Sequence, residues 1–153
     1  MHPDFRDLLA EFNAAGVDYL VVGAHALAAH GHVRATKDLD VWVNPSPDNA
    51  PRVLRALAAF GAPLHELSKD DLAQPDLIYQ VGLPPVRIDV LTSIDGVAFA
   101  EAWAERVETT FAGERAAVLS RRHLVQNKRT SGRLQDLADI ERLESTENTV
   151  LDC

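Results

Sequence analysis

Gly23-Ala-His-Ala-Leu-Ala-Ala-His-Gly-His-Val-Arg-Ala-Thr-Lys-Asp-Leu-Asp-Val-Trp-Val43 is the stretch on which the fold turns. Just before it, Asp18-Tyr-Leu-Val-Val-Gly23 is an apolar, partly β-branched run stopped by glycine, which predicts a short buried strand. The Ala-rich segment after Gly23, closed by Gly31, predicts a short helix that follows the strand directly. Asp38-Leu-Asp-Val-Trp-Val43 predicts a second strand, ended by Asn44-Pro-Ser-Pro47. Two residues apart on a strand, Asp38 and Asp40 project from the same face. Strands are poor in Asp, and two carboxylates on one face repel unless a cation lies between them. A divalent, oxygen-seeking ion such as Mg²⁺ (or Mn²⁺) answers that need, since one or two carboxylates plus substrate phosphates are its usual ligands.

The Asp-x-Asp pair by itself is weak. With fourteen Asp in the chain, about one such pair is expected from composition alone. The flanking apolar residues and the strand–glycine–helix unit upstream give it weight. Gly23 lets the backbone approach a phosphate closely, and the helix after it offers unpaired N–H groups. An ordinary glycine at a strand–helix corner is the plainer alternative. A third carboxylate, Asp89, lies in Val86-Arg-Ile-Asp-Val-Leu91, which alternates as a strand does. If that strand neighbours the one carrying Asp38 and Asp40, its carboxylate completes the cluster.

Outward from this centre, Phe5, Leu8, Leu9 and Phe12 recur at helical spacing, and Gly16 ends that helix. Ser46 and Pro47 predict the start of a helix that runs through Val53, Leu54, Leu57 and Phe60 to Gly61. Residues 68–73 suggest a helical turn, 77–81 a strand, 97–105 a helix, and 107–119 a hairpin turning at Gly113-Glu114. Ser120 caps a helix to about Lys128, and residues 133–143 form the last one. Helices interleaved with strands predict an α/β (α+β) domain, with a helical C-terminal part over about residues 120–145.

Composition narrows the function classes. The 153 residues are 46% hydrophobic and 25% charged, enough for one domain (1–153) with a genuine core. No apolar run is long enough to cross a membrane, and Met1-His2-Pro3-Asp4 lacks the basic start of a signal peptide, so a soluble cytoplasmic domain is expected. The single Cys, Cys153, excludes an internal disulfide or a cysteine metal cage. A net charge of −8 opposes non-specific nucleic-acid binding. Arg115, Arg121, Arg122, Lys128, Arg129 and Arg133 nonetheless form a run free of carboxylates, either a solvated helix face or a local polyanion site. His25, His30 and His32 lie close together, but His25 and His30, five apart, sit on different helix faces, so zinc is not expected. Trp42 and Trp103 read as core, and Tyr79 as core or rim.

The segment from Gly23 to Asp40, followed by a strand carrying Asp89, resembles the nucleotidyltransferase superfamily with the polymerase-β-type fold. It is similar above all to small bacterial members, including the AbiEii-like toxins of abortive-infection systems. Arg34, Thr36, Asp38, Asp40 and Asp89 match their Arg-x-Thr/Ser-x-Asp-h-Asp segment and later Asp. Lys128-Arg-Thr-Ser-Gly-Arg-Leu-Gln-Asp136-Leu-Ala-Asp139 resembles their closing helices. Ala24 stands where the family has a second Gly or a Ser, so no hydroxyl is available there. The resemblance spans about residues 5–143. It implies a mixed β-sheet flanked by helices, with the C-terminal helices packed on it. It also implies Asp38 and Asp40 holding two Mg²⁺ (or Mn²⁺) ions on a nucleoside triphosphate, with Asp89 binding the catalytic metal and helping to deprotonate the attacking hydroxyl.

Gly23, Ala24, Arg34, Thr36, Lys128 and Arg133 would line the nucleotide, with Asp136 and Asp139 orienting the cations. The expected activity is transfer of a nucleoside monophosphate to an acceptor hydroxyl on RNA, a protein or a small molecule, in a toxin–antitoxin, phage-defence or antibiotic-modifying setting. The rivals are an antitoxin-like partner that keeps the fold, and a nucleotide sensor without turnover.

Overall fold

The computed structural model describes residues 2–32, 38–82 and 86–151. In chain order the elements are α1 (Pro3–Ala15), β1 (Tyr19–Val22), α2 (Gly23–Ala29), β2 (Asp38–Val43), α3 (Ala50–Phe60), α4 (Lys69–Leu72) and β3 (Ile78–Val81). They continue with β4 (Arg87–Leu91), α5 (Phe99–Ala104), β5 (Val107–Phe111), β6 (Glu114–Val118), α6 (Arg121–Ser131) and α7 (Leu134–Leu151). The α/β expectation holds: six strands form one mixed sheet in the order β3-β4-β2-β1-β6-β5.

Local chemistry explains most boundaries. Phe5, Leu8, Leu9 and Phe12 put one buried stripe on α1, which packs on α3 and β6. Gly16, at φ +70°, then turns the chain out of the helix, with its N–H on Asn13 O and that of Val17 on Phe12 O. The helix expected from Ser46 starts later, at Ala50. The Ser46 hydroxyl accepts from the Asn49 N–H at 3.1 Å, closing a turn instead. The Asn49 side chain meanwhile ties down Asp18 and the Asn44 carbonyl, which fixes where α3 can begin. In the C-terminal part, α6 runs one turn past Lys128 to its Gly132 cap, and α7 continues well beyond residue 143.

Register positions the chemistry. Strand β2 lies between β1, antiparallel to it, and β4, parallel to it. Its Leu39, Val41 and Val43 alternate into the core, while Trp42, buried as expected, meets Phe99 edge-on on the face shared with Asp38 and Asp40. That face is therefore apolar at the C-terminal end of β2 and carboxylate-bearing at its N-terminal end. Trp103 is only partly buried, stacked on Phe99 with the Arg106 guanidinium 4.0 Å above its ring. Helix α6 is tied to the turn after β4 by Gln126, which donates to the Gly96 carbonyl, and by Asn127, which donates to that of Asp95. Among the described residues, no helix is long and apolar enough to cross a membrane.

Candidate active site

The parallel β2–β4 pairing sets Asp40 opposite Asp89 and Asp38 opposite Arg87, so four charged side chains share one face of two adjacent strands. Antiparallel pairing with β1 brings Val22, and hence the start of α2, against Asp40. Gly23 is needed at this corner for two reasons. Its φ is +68°, and a Cβ there would lie 2.4 Å from Asp40 Oδ2. Ala24 follows in the first turn of α2, half-buried.

The electrostatics of the group are uneven. Burial pushes the Asp40 carboxyl up, and so do the charge of Asp89, a hydrogen bond to Asp89 and the charge of Asp38; despite the opposing Arg87, it reaches about 7. Arg87 reaches Asp38 Oδ2 at 3.1 Å and Asp89 Oδ1 at 3.2 Å. The second contact is one of charge only, because Arg87 Nε and Asp89 Oδ1 are both buried without an aligned hydrogen-bond partner. The structure thus pairs Asp40 with Asp89 and turns Asp38 to Arg87. Among the described residues no three carboxylate, imidazole or thiol groups converge as a ready ligand set. Asp38, Asp40 and Asp89 nonetheless share one face of adjacent strands, and Asp40 feels the charge of both neighbours. Arg34 and Thr36 lie outside the described residues.

Lys128 requires a correction. It is expected to line the nucleotide, but its buried ammonium sits between α6 and α7, 2.9 Å from Asp139 and 3.4 Å from Asp136. Two buried carboxylates attract it more strongly than an open cleft does. Arg133, largely exposed, pairs with Asp136 at 2.7 Å and is likewise directed to α7. Asp136 and Asp139 do orient these cations, as expected. The remaining basic run splits: Arg122 pairs with Glu105 and Arg129 with Glu144, both on the surface, whereas Arg121 is half-buried. His25 is wedged edge-on between Phe5 and Phe111, and burial lowers its pKa. The His30 ring nitrogen lies 2.8 Å from the Leu119 carbonyl.

No protein-family model matches the chain, and no curated protein matches it in sequence. Solved structures do. A lincosamide antibiotic adenylyltransferase, LnuA, crystallised with lincomycin, superposes with a TM-score of 0.60 at 15% identity, over 95% of this chain and 98% of its own. A Thermotoga maritima protein assigned as a nucleotidyltransferase, TM1012, gives 0.56 at 12% identity, over 97% of this chain and 91% of its own. An antigenic nucleotidyltransferase-like protein from Paracoccidioides brasiliensis gives 0.53 at 15% identity, over 92% and 72%. The chain has the nucleotidyltransferase fold. The carboxylates of this site would be the groups to hold a hard divalent cation. Asp40 and Asp89 face each other, Asp89 Oδ1 lacks an aligned donor among the described residues, and the donor set is all oxygen.

Arg87 is the site residue that sequence reading overlooked. The signal was an Arg and an Asp two apart on one strand, but its meaning depends on which residue lies opposite.

Proposed function

We propose that this chain is a nucleotidyltransferase that uses Mg²⁺ or Mn²⁺ to move a nucleoside monophosphate from a triphosphate to an acceptor hydroxyl. The reading is carried by one observation: Asp40 and Asp89 are held side by side on a half-buried sheet face, in repulsion that a cation would relieve. The nucleotidyltransferase fold supports it. Asp40 and Asp89 would hold the ion, joined by Asp38 once it is released from Arg87. When bound, the ion neutralises triphosphate charge and makes the acceptor hydroxyl easier to deprotonate. The hydroxyl oxygen forms a bond to the α-phosphorus, the α–β bridging bond breaks, and pyrophosphate leaves. Asp89 would take the hydroxyl proton. Gly23, which has no Cβ to meet Asp40, would let the backbone approach the phosphates.

LnuA, whose length this chain nearly matches, acts on a lincosamide, so a small-molecule hydroxyl is the acceptor to test first. RNA or protein acceptors would instead suit the toxin–antitoxin or phage-defence role.

The test is incubation with each α-labelled triphosphate and Mg²⁺, with lincomycin, RNA or total lysate as acceptor. Label recovered in one product class, abolished by Asp40→Asn and Asp89→Asn, is the expected result. Triphosphate binding without transfer to any acceptor would leave a nucleotide-binding module, the reading that Ala24 favours.

A further inference from the structure

Arg87 stands where a cation among these carboxylates belongs. One guanidinium spans Asp38 and Asp89 on neighbouring strands, at 3.1 and 3.2 Å. The register enforces this, because Arg87 lies directly opposite Asp38 and two residues from Asp89 on the same face. The arrangement is neutralising but not saturated, since the contact with Asp89 is not an aligned hydrogen bond. The Arg87 side chain is one-third exposed, against 13% for that of Asp89, so the guanidinium has a route to water that the carboxylate lacks. A divalent ion seated on Asp38 and Asp89 would meet this guanidinium at close range, and like charges so near repel.

Resting on the metal-dependent reading above, we propose that Arg87 is a built-in counter-ion of the site. It holds Asp38 and Asp89 together in the metal-free protein and gives way when a divalent ion binds. The consequence is a trade between order and affinity. Arg87 keeps the acidic face assembled without metal, and for the same reason weakens the binding of the metal itself. It is a positioning residue, acting through the carboxylates.

The measurement is a titration of metal-free protein with MnCl₂, with free Mn²⁺ read by electron paramagnetic resonance, on wild type, Arg87→Gln and Arg87→Lys. Arg87→Gln should bind Mn²⁺ about tenfold more tightly, because the competing charge is gone. Arg87→Lys keeps a cation and should stay within about threefold of wild type. Metal-free Arg87→Gln should also melt below wild type, with Mn²⁺ restoring more of the loss. Wild-type binding with no gain in Arg87→Gln overturns the role of Arg87 and leaves the metal-dependent reading standing. Tightening in Arg87→Lys equal to that in Arg87→Gln overturns charge competition as the cause. Absence of Mn²⁺ binding in every variant overturns both inferences. Should Arg87→Gln fail to fold, the Arg87 Nε–H resonance of the wild type, absent from Arg87→Lys, decides the matter. Displacement shifts it and speeds its solvent exchange on adding Mg²⁺; an unchanged resonance overturns the proposal.

Discussion

Two acidic groups in this molecule use the same residue types to opposite ends. Between α6 and α7, Asp136 and Asp139 close on Lys128, and the charged ends of all three side chains are buried. Burial pushes the Asp136 carboxyl up, but hydrogen bonds from Arg133 and Ser131 and the charges of Lys128 and Arg133 outweigh it, and it falls to about 2. On β2 and β4, Asp40 and Asp89 face each other while the Arg87 guanidinium is shared between Asp38 and Asp89, and the Asp40 carboxyl rises to about 7. The first group is satisfied and joins two helices. In the second, carboxylate meets carboxylate across the strands, and the ionised form of Asp40 is disfavoured. Counting carboxylates does not separate a structural cluster from a ligand site; counting how many are satisfied does.

The largest effect that could break this contrast is Lys128→Ala. It removes the buried ammonium that two buried carboxylates share, Asp136 keeping only Arg133, and should destabilise the fold by about 3–5 kcal/mol in urea denaturation. A variant that kept wild-type stability and lost only nucleotide binding would return Lys128 to the nucleotide site. Gly23→Ala comes next. A side chain at φ +68°, set against Asp40 Oδ2, should cost about 1–3 kcal/mol in thermal unfolding and should abolish transfer.

The third prediction concerns pH. Unfolded, the Asp40 carboxyl ionises near 3.8; folded, it does so near 7. The folded state therefore binds more protons across that window, and the Asp40 contribution to stability declines as pH rises from about 4 to 7. Asp136 has the opposite sign: its contribution is present above about 3.8 and is lost as pH falls towards 2. Asp40→Asn should flatten the upper slope and gain about 1–2 kcal/mol at pH 8, whereas Asp136→Asn should lose stability there. Denaturation midpoints at pH 3, 5 and 8 check both. A flat wild-type profile between pH 4 and 7 would mean that Asp40 and Asp89 are not in repulsion. The smallest expected effect is that of Arg121→Ala, which lies outside both groups. Nucleotide affinity should change by less than about 0.5 kcal/mol in calorimetry.

Much of the fold was legible because its signals are local. The stripe of Phe5, Leu8, Leu9 and Phe12, the apolar run into Gly23, the alternation in 86–91 and the turn at Gly113 depend on residues a few positions apart. Where reading failed, a distant partner had intervened. Ser46 looks like a helix cap until Asn49 reaches back to Asp18, and α6 passes Lys128 because Lys128 is an interior ion-pair member and not a helix end.

The sequence by itself determined that Asp38 and Asp40 share a face, that a third carboxylate is carried by the strand 86–91, and that glycine opens the helix beside them. Periodicity within one element is enough for each of these. Only the tertiary structure decided that Asp40 meets Asp89, that Arg87 divides its charge between Asp38 and Asp89, and that Lys128 turns to α7. Register between strands and the docking of helices arise from contacts far apart in the chain, and the strength of a charge interaction depends on the burial those contacts create.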